Sequence, residues 1–248
     1  MPLRIDPSLI PNFPDLSFER ALWKAGLSAV GGIDEAGRGC LAGPVTAAIV
    51  ILPNTEKIQK ILTGTRDSKQ LDSNQRESFR VKVESSARAW AVGWASQIEI
   101  DRVGILPATR LAIWRAIDQL SQPAEHLLVD YLELPDISLP QTRLVKGDRR
   151  SLSIAAASIL AKTHRDAWMI EQNRHYPGYG FAENKGYGTE QHREALLKLG
   201  PCSLHRRSFA PLKNLPQTPG NPLGKNLAQN GASSEAESPL INPELDGR

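Results

Sequence analysis

Two acidic residues in succession, Asp34 and Glu35, sit where a short apolar segment runs into a glycine-rich stretch, GIDEAGRGCLAGP over residues 32–44. Residues 29–34 read as a strand entering a core, which places the pair at the end of a buried strand. Two carboxylates in that position repel each other and are costly to desolvate. A hard cation such as Mg2+ or Mn2+ relieves the cost, because such ions prefer carboxylate oxygen. Alternation along a strand points neighbours to opposite faces, so both acids share one site only if the strand ends at Glu35. Gly37 and Gly39 permit such an end and let backbone N–H groups approach a substrate, with the cationic Arg38 between them.

The pattern that follows is one of strands and then alternating helices. Residues 45–52 (VTAAIVIL), bounded by Pro44 and Pro53, read as a mostly buried strand, and residues 89–97 as a third. Asp72 or Ser73 can cap a helix reaching about Arg88, with Leu71 placed as a hydrophobic staple. Pro107 opens a helix through Leu120 whose apolar face is Leu111, Trp114, Ile117 and Leu120. HLLVD at 126–130 and TRLVK at 142–146 give two further strands. Residues 151–174 read as a long Ala-rich helix, and 189–199 as another, stopped by Gly200 and Pro201. Strands joined by short links and then alternating with helices predict an α/β protein, a mixed sheet flanked by helices.

Residues 1–27 read as an irregular lead-in with a short helix near Phe18, and 28–214 as the folded body. The stretch 215–248, rich in Pro, Gly, Asn and Ser and without an aromatic residue, reads as a disordered tail. The amino terminus carries Asp6, Asp15 and Glu19 and lacks a continuous apolar stretch, unlike a secretory signal. No apolar run is long enough to span a bilayer, and two cysteines, Cys40 and Cys202, cannot build a disulfide framework. A cytoplasmic protein with no membrane partner is the expectation. Net charge is only +3, yet residues 141–214 hold 13 Lys or Arg against 6 Asp or Glu. Such a basic stretch suits a phosphate backbone, with a solvated surface of chance clustering as the lesser alternative.

Asp130 closes the strand HLLV, where an acid also serves as an ordinary cap. Asp148 follows the fifth strand in VKGDRR. Acids ending three separate strands can converge at one sheet edge. Two metal ions held there could activate water and stabilise a leaving oxygen in phosphodiester hydrolysis.

GIDEAGRG, DSKQL at 67–71, VKGD at 145–148, AAASILAKTHRD at 155–166, NKGYGT at 184–189 and HRRSF at 205–209 together resemble ribonuclease HII, in the same order and with similar spacing. The resemblance covers about residues 28–214. It implies a ribonuclease H-like fold with a central mixed five-stranded sheet flanked by helices. Its four catalytic acids match Asp34, Glu35, Asp130 and Asp148. Asp34, Glu35 and Asp130 would form the principal site for Mn2+ or Mg2+, and Asp148 would be a more loosely held ligand. The implied partners are RNA–DNA hybrids and duplex DNA containing ribonucleotides, cut on the 5′ side of a ribonucleotide; a monomer is the expectation for the chain.

Discrimination then rests on the ribose 2′-hydroxyl. In the family, the turn matching Gly37, Arg38 and Gly39 contacts that group through its backbone, and Tyr187 matches the tyrosine that recognises the RNA–DNA junction. On its own, Tyr187 reads as a half-buried packing residue. Ser68 and Lys69 would hold phosphates. Arg206 and Arg207 would either do the same or stand solvated at the end of a helix.

Other residues take plainer readings. Asp166, in mid-helix, is expected to make a buried structural contact rather than an ion pair with Lys162 or Arg165. His192, His205, Cys40 and Cys202 lack the close spacing of a zinc site. The family often has Gly after the third acid, whereas Tyr131 follows Asp130 here, which opens the question of the loop conformation. A related nuclease acting on branched DNA and a non-catalytic nucleic-acid-binding module are the competing readings.

Overall fold

The protein is described by a computed structural model at residues 6, 10–65, 68 and 71–214. The chain divides into two units, Met1–Leu215 and Pro216–Arg248. The sequence expectation for 215–248, and that for Lys69, fall outside the described residues.

Five strands form one sheet: β1 (Val30–Ala36), β2 (Val45–Ile51), β3 (Ala89–Ala95), β4 (His126–Asp130) and β5 (Gln141–Leu144). Their order is β3-β2-β1-β4-β5. β2 runs antiparallel to both β1 and β3, while β4 lies parallel to β1 and β5 parallel to β4. Residues 37–44 link β1 directly to β2, whereas residues 52–88, with two helices, lead from β2 to β3, and only residues 131–140 connect the parallel strands β4 and β5. β1 runs past Glu35 to Ala36, because Thr46 of β2 is there to pair with it. β3 stops at Ala95, because Ser96 and Glu99 form a capping box that starts a helix the pattern did not announce, α4 (Gln97–Val103).

Helices α5 (Ile105–Asp118) and α6 (Leu152–His175) cover the two faces. Both faces of β2 are therefore buried, which explains its unbroken apolar run. On α5 the buried residues are Ala108, Thr109, Ala112, Ile113 and Ala116, whereas Trp114 is 51% exposed. The stripe expected from the large residues is thus displaced. Small residues let the helix axis approach the sheet, and Leu111, Ile117 and Leu120 pack at its margins. On the other face, α6 comes so close to β1 that a Cβ on Gly32 would lie 2.3 Å from the backbone carbon of Ser153. Only glycine fits there, and that contact fixes the first turn of α6 close to Asp34, two residues further along β1.

The remaining helices are α1 (Ser17–Lys24), α2 (Glu56–Ile61), α3 (Ser73–Ser86), α7 (Phe181–Asn184) and α8 (Glu190–Leu199). Asp72 and Gln75 cap α3, Ser151 caps α6 and Thr189 caps α8. The folded body begins earlier than expected at residue 28. Leu16 and Trp23 join the α6-side core, and the buried Glu19 accepts hydrogen bonds from the hydroxyls of Ser151 and Ser153. Asp15 also bridges to the backbone at Ser151. Among the described residues, no helix is long and apolar enough to cross a membrane.

Candidate active site

The parallel pairing of β1 with β4 brings Asp34 and Asp130 to the same edge, since Ile33 and Val129 are register partners. After β5 the chain turns through Lys146, whose φ is 54°, into a single 3-10 turn, Gly147–Arg149, carrying Asp148. The Gly147 N–H donates to Asp130 Oδ1 at 2.7 Å, tying that turn to the end of β4. One carboxylate oxygen from each of Asp34, Asp130 and Asp148 lies within 4.8 Å of the others. The convergence of three strand ends, argued from spacing, is what the backbone produces.

Glu35 is not in this trio. β1 continues to Ala36, so Glu35 lies within the strand and not at its end. Glu35 instead accepts from Arg38 Nη1 at 2.9 Å across the glycine turn. Its charge still reaches Asp34. Asp34 is 7% exposed, and its carboxyl is pushed well above the ordinary aspartate range, first by burial and then by Glu35, Asp130 and Asp148. Among the described residues, no lysine or arginine forms an ion pair with Asp34. A buried carboxylate in this setting calls for a cation from outside the protein.

The glycine turn lies directly beyond. Gly37 has a φ of +89°, and a Cβ there would fall 2.0 Å from Arg165 Nε. Both requirements demand glycine. Beneath the turn lies Arg206, which is completely buried, neither solvated nor placed to meet a phosphate. Nor does it stand at the end of a helix, because α8 has ended at Leu199. Its guanidinium donates to the carbonyls of Gly37 (2.7 Å), Arg38 (2.8 Å), Gly43 (2.9 Å) and Pro44 (3.1 Å). Burial pushes it down to about 10. Arg165, equally buried, donates to the carbonyls of Pro44, Lys185 and Ala42. Sequence reasoning missed both roles, since backbone carbonyls leave no trace in a pattern of side chains. Arg207 is exposed, and its backbone N–H donates to Asp101.

Tyr187 joins the same surface. Gly186, its neighbour, accepts from the Leu41 N–H at 2.8 Å, so the NKGYGT loop is laced to the residues just after the glycine turn. The ring is 37% exposed, with Lys162 Nζ 5.1 Å and Arg165 5.8 Å from its centre. Burial, followed by Cys40, pushes its phenol up to about 12, so it keeps its proton at neutral pH. Behind it, the Tyr187 carbonyl meets His192 Nδ1 (2.9 Å), His192 Nε2 meets His205 Nε2 (3.1 Å), and His205 Nδ1 accepts from the Cys202 N–H (3.0 Å). The two histidines and Cys202 do come together, as a satisfied hydrogen-bond chain.

Ser68 is buried and accepts from the Ser158 hydroxyl at 2.8 Å. Asp166 does pair with Lys162, at 2.8 Å, which corrects the expectation. The two stand at i and i+4, the spacing at which helical side chains meet. Tyr131 adopts a φ of 57°, the left-handed conformation for which glycine is suited.

The family model of Ribonuclease HII matches residues 31–212. A Ribonuclease HII of Chloroflexus aurantiacus is 50% identical over 200 residues, covering 80% of this chain and 94% of that protein. Among solved structures, the ribonuclease H2 of Pyrococcus horikoshii superimposes with a TM-score of 0.63 at 24% identity, over 75% of this chain and 95% of that one. Bst-RNase HIII in complex with Mn2+ gives 0.56 at 20% identity, over 75% and 68% of the two chains. These last two show that the fold is that of the ribonucleases H.

Proposed function

Because the chain belongs to the ribonuclease HII family, and is thereby a ribonuclease H endonuclease, we propose that it cuts on the 5′ side of ribonucleotides, in RNA–DNA hybrids and singly embedded in duplex DNA. The observation that carries this reading is the trio Asp34, Asp130 and Asp148 set at one sheet edge beside the turn Gly37, Arg38 and Gly39.

The donor set suits a hard divalent cation, since it offers only carboxylate oxygens and includes a buried Asp34 with raised proton affinity. Asp34, Asp130 and Asp148, together with Glu35 next to Asp34, would hold Mg2+ or Mn2+; the ion would supply activation of water and charge neutralisation at the phosphate. The rest falls to the chain. Backbone amides of the turn donate to the ribose 2′-oxygen, a group absent from DNA. The Tyr187 hydroxyl, still protonated at neutral pH, donates a hydrogen bond while its ring packs at the junction. Arg38, held by Glu35, stands beside the turn as a cation for the backbone phosphate. Products would carry 3′-hydroxyl and 5′-phosphate ends.

A DNA duplex with one central ribonucleotide tests the reading when incubated with Mg2+ or with Mn2+. Cleavage at the 5′ side of that nucleotide, and none in an all-deoxy duplex, is expected. An intact ribonucleotide duplex with either ion would sink it.

A further inference from the structure

Arg206 is fully buried, and among the described residues no carboxylate lies within ion-pair distance of it or of Arg165. Burying a guanidinium without a counter-charge is costly, and here carbonyl dipoles repay most of it, with the rings of Phe209 and Tyr187 beside Arg206 and Arg165. The four carbonyls that meet Arg206 belong to one short segment, Gly37 to Pro44. A trans peptide is planar, with its C=O and N–H on opposite sides. Drawing the Gly37 carbonyl inward therefore turns the Arg38 N–H outward, and drawing the Arg38 carbonyl inward does the same for the Gly39 N–H. Among the described residues, neither of those two amides has a hydrogen-bond acceptor. Two backbone donors are left unused in the turn that follows Asp34 and Glu35.

We propose that Arg206, with Arg165 beside it, is the positioning residue that gives this turn its selectivity for ribose, by holding the Arg38 and Gly39 amides in the outward orientation. The inference rests on the turn being the reader of the 2′-hydroxyl. It assigns the selectivity to a side chain that touches no substrate. A planar fork with five donors can hold several carbonyls at fixed angles, whereas a lysine ammonium in the same space cannot reproduce that geometry.

The test compares the full-length protein with Arg206→Lys and Arg165→Lys in metal-free buffer. Fluorescence anisotropy measures the affinity for a duplex with one ribonucleotide and for the same duplex in all-deoxy form. The parent should prefer the ribonucleotide duplex by roughly tenfold, the worth of one or two hydrogen bonds. In Arg206→Lys that ratio should fall to near one while affinity for the all-deoxy duplex is unchanged, and Arg165→Lys should fall part of the way. A parent ratio near one would overturn the turn's role and this proposal with it. A parent preference that survives intact in folded Arg206→Lys would overturn the proposal alone. Should Arg206→Lys not fold, amide exchange in the parent decides. The Arg38 and Gly39 amides should exchange rapidly in the free protein and become protected by the ribonucleotide duplex only. Protection already present in the free protein would overturn the proposal.

Discussion

At the carboxylate edge, Asp34, Asp130 and Asp148 gather negative charge at the ends of β1 and β4 and just after β5. Around the glycine turn, Arg165 and Arg206 bury two positive charges, with seven hydrogen bonds to carbonyls. The two regions share β1 and the residues just after it, yet they resolve the same electrostatic problem differently. The acids remain strained, as the raised proton affinity of Asp34 records, and want a cation from solution. The arginines are satisfied from within, and what they yield is backbone geometry. Substitution should therefore spare the fold and remove activity at the first region, and damage the fold along with selectivity at the second.

The largest expected effect lies at the acids. Asp34→Asn removes the central buried carboxylate, and cleavage of the single-ribonucleotide duplex should fall about 10³-fold or more, the equivalent of several kcal/mol of lost charge stabilisation. In chelator, the variant should melt no lower than the parent, because a repulsive charge has been taken away. A variant that is inactive because it is unfolded would break the contrast between the regions.

Gly37→Ala should behave the other way. The new methyl meets Arg165 Nε at 2.0 Å and the backbone is held at a φ of +89°. Overpacking and strain together should cost on the order of 3 kcal/mol in a denaturant titration. A loss below about 1 kcal/mol would mean that Arg165 yields easily and that the turn is less rigidly set than its hydrogen bonds imply.

What the sequence revealed, and what it hid, follows the same division. The acids announced themselves because each ends an apolar strand: Val30 to Ile33 before Asp34, and HLLV before Asp130. Asp72 and Thr189 announced their helices because capping is a local interaction. Arg206 gave no sign, since its partners are main-chain oxygens 162 to 169 residues away. Nor did the buried face of α5, where alanines set the approach distance and the large side chains, which carry most of the apolar signal, were pushed to the margin. Glu35 was legible as an acid, but its ion pair with Arg38 across the glycine turn was not. Lys162 and Asp166 were a misreading of a legible signal, since their spacing alone forecasts a helical pair.

The arginine region is backed by His192 and His205, which hold Tyr187 and the start of the HRRSF segment through uncharged contacts. Burial, and then the charge of His192, push His205 down from 6.5 to about 3. Between those values the unfolded chain binds a proton that the folded chain refuses, so stability falls as pH drops through that window. At about 1.4 kcal/mol per pH unit, unfolding free energy should decline by roughly 2 kcal/mol between about pH 6.5 and pH 5. His205→Gln should flatten this slope in urea titrations at the two pH values. An unchanged slope would place the acid sensitivity elsewhere and detach the histidines from the region they are said to support.

The smallest effect concerns the rim of the acidic region. Tyr131 follows Asp130 in the left-handed conformation, with a φ of 57°. Its N–H donates to the Leu144 carbonyl at 3.0 Å, so the loop geometry is fixed by β5 and the tyrosine must comply. Left-handed backbone costs a side chain about 1–2 kcal/mol, and glycine gives back part of that gain through its greater freedom when unfolded. The ring is half exposed and contributes little packing. Tyr131→Gly should accordingly stabilise the protein by about 0.5–1 kcal/mol, seen as a raised midpoint in denaturant, with cleavage unaltered. Lower activity in a stabilised Tyr131→Gly variant would show that the ring touches substrate, and would extend the recognition surface from the glycine turn round to the acids.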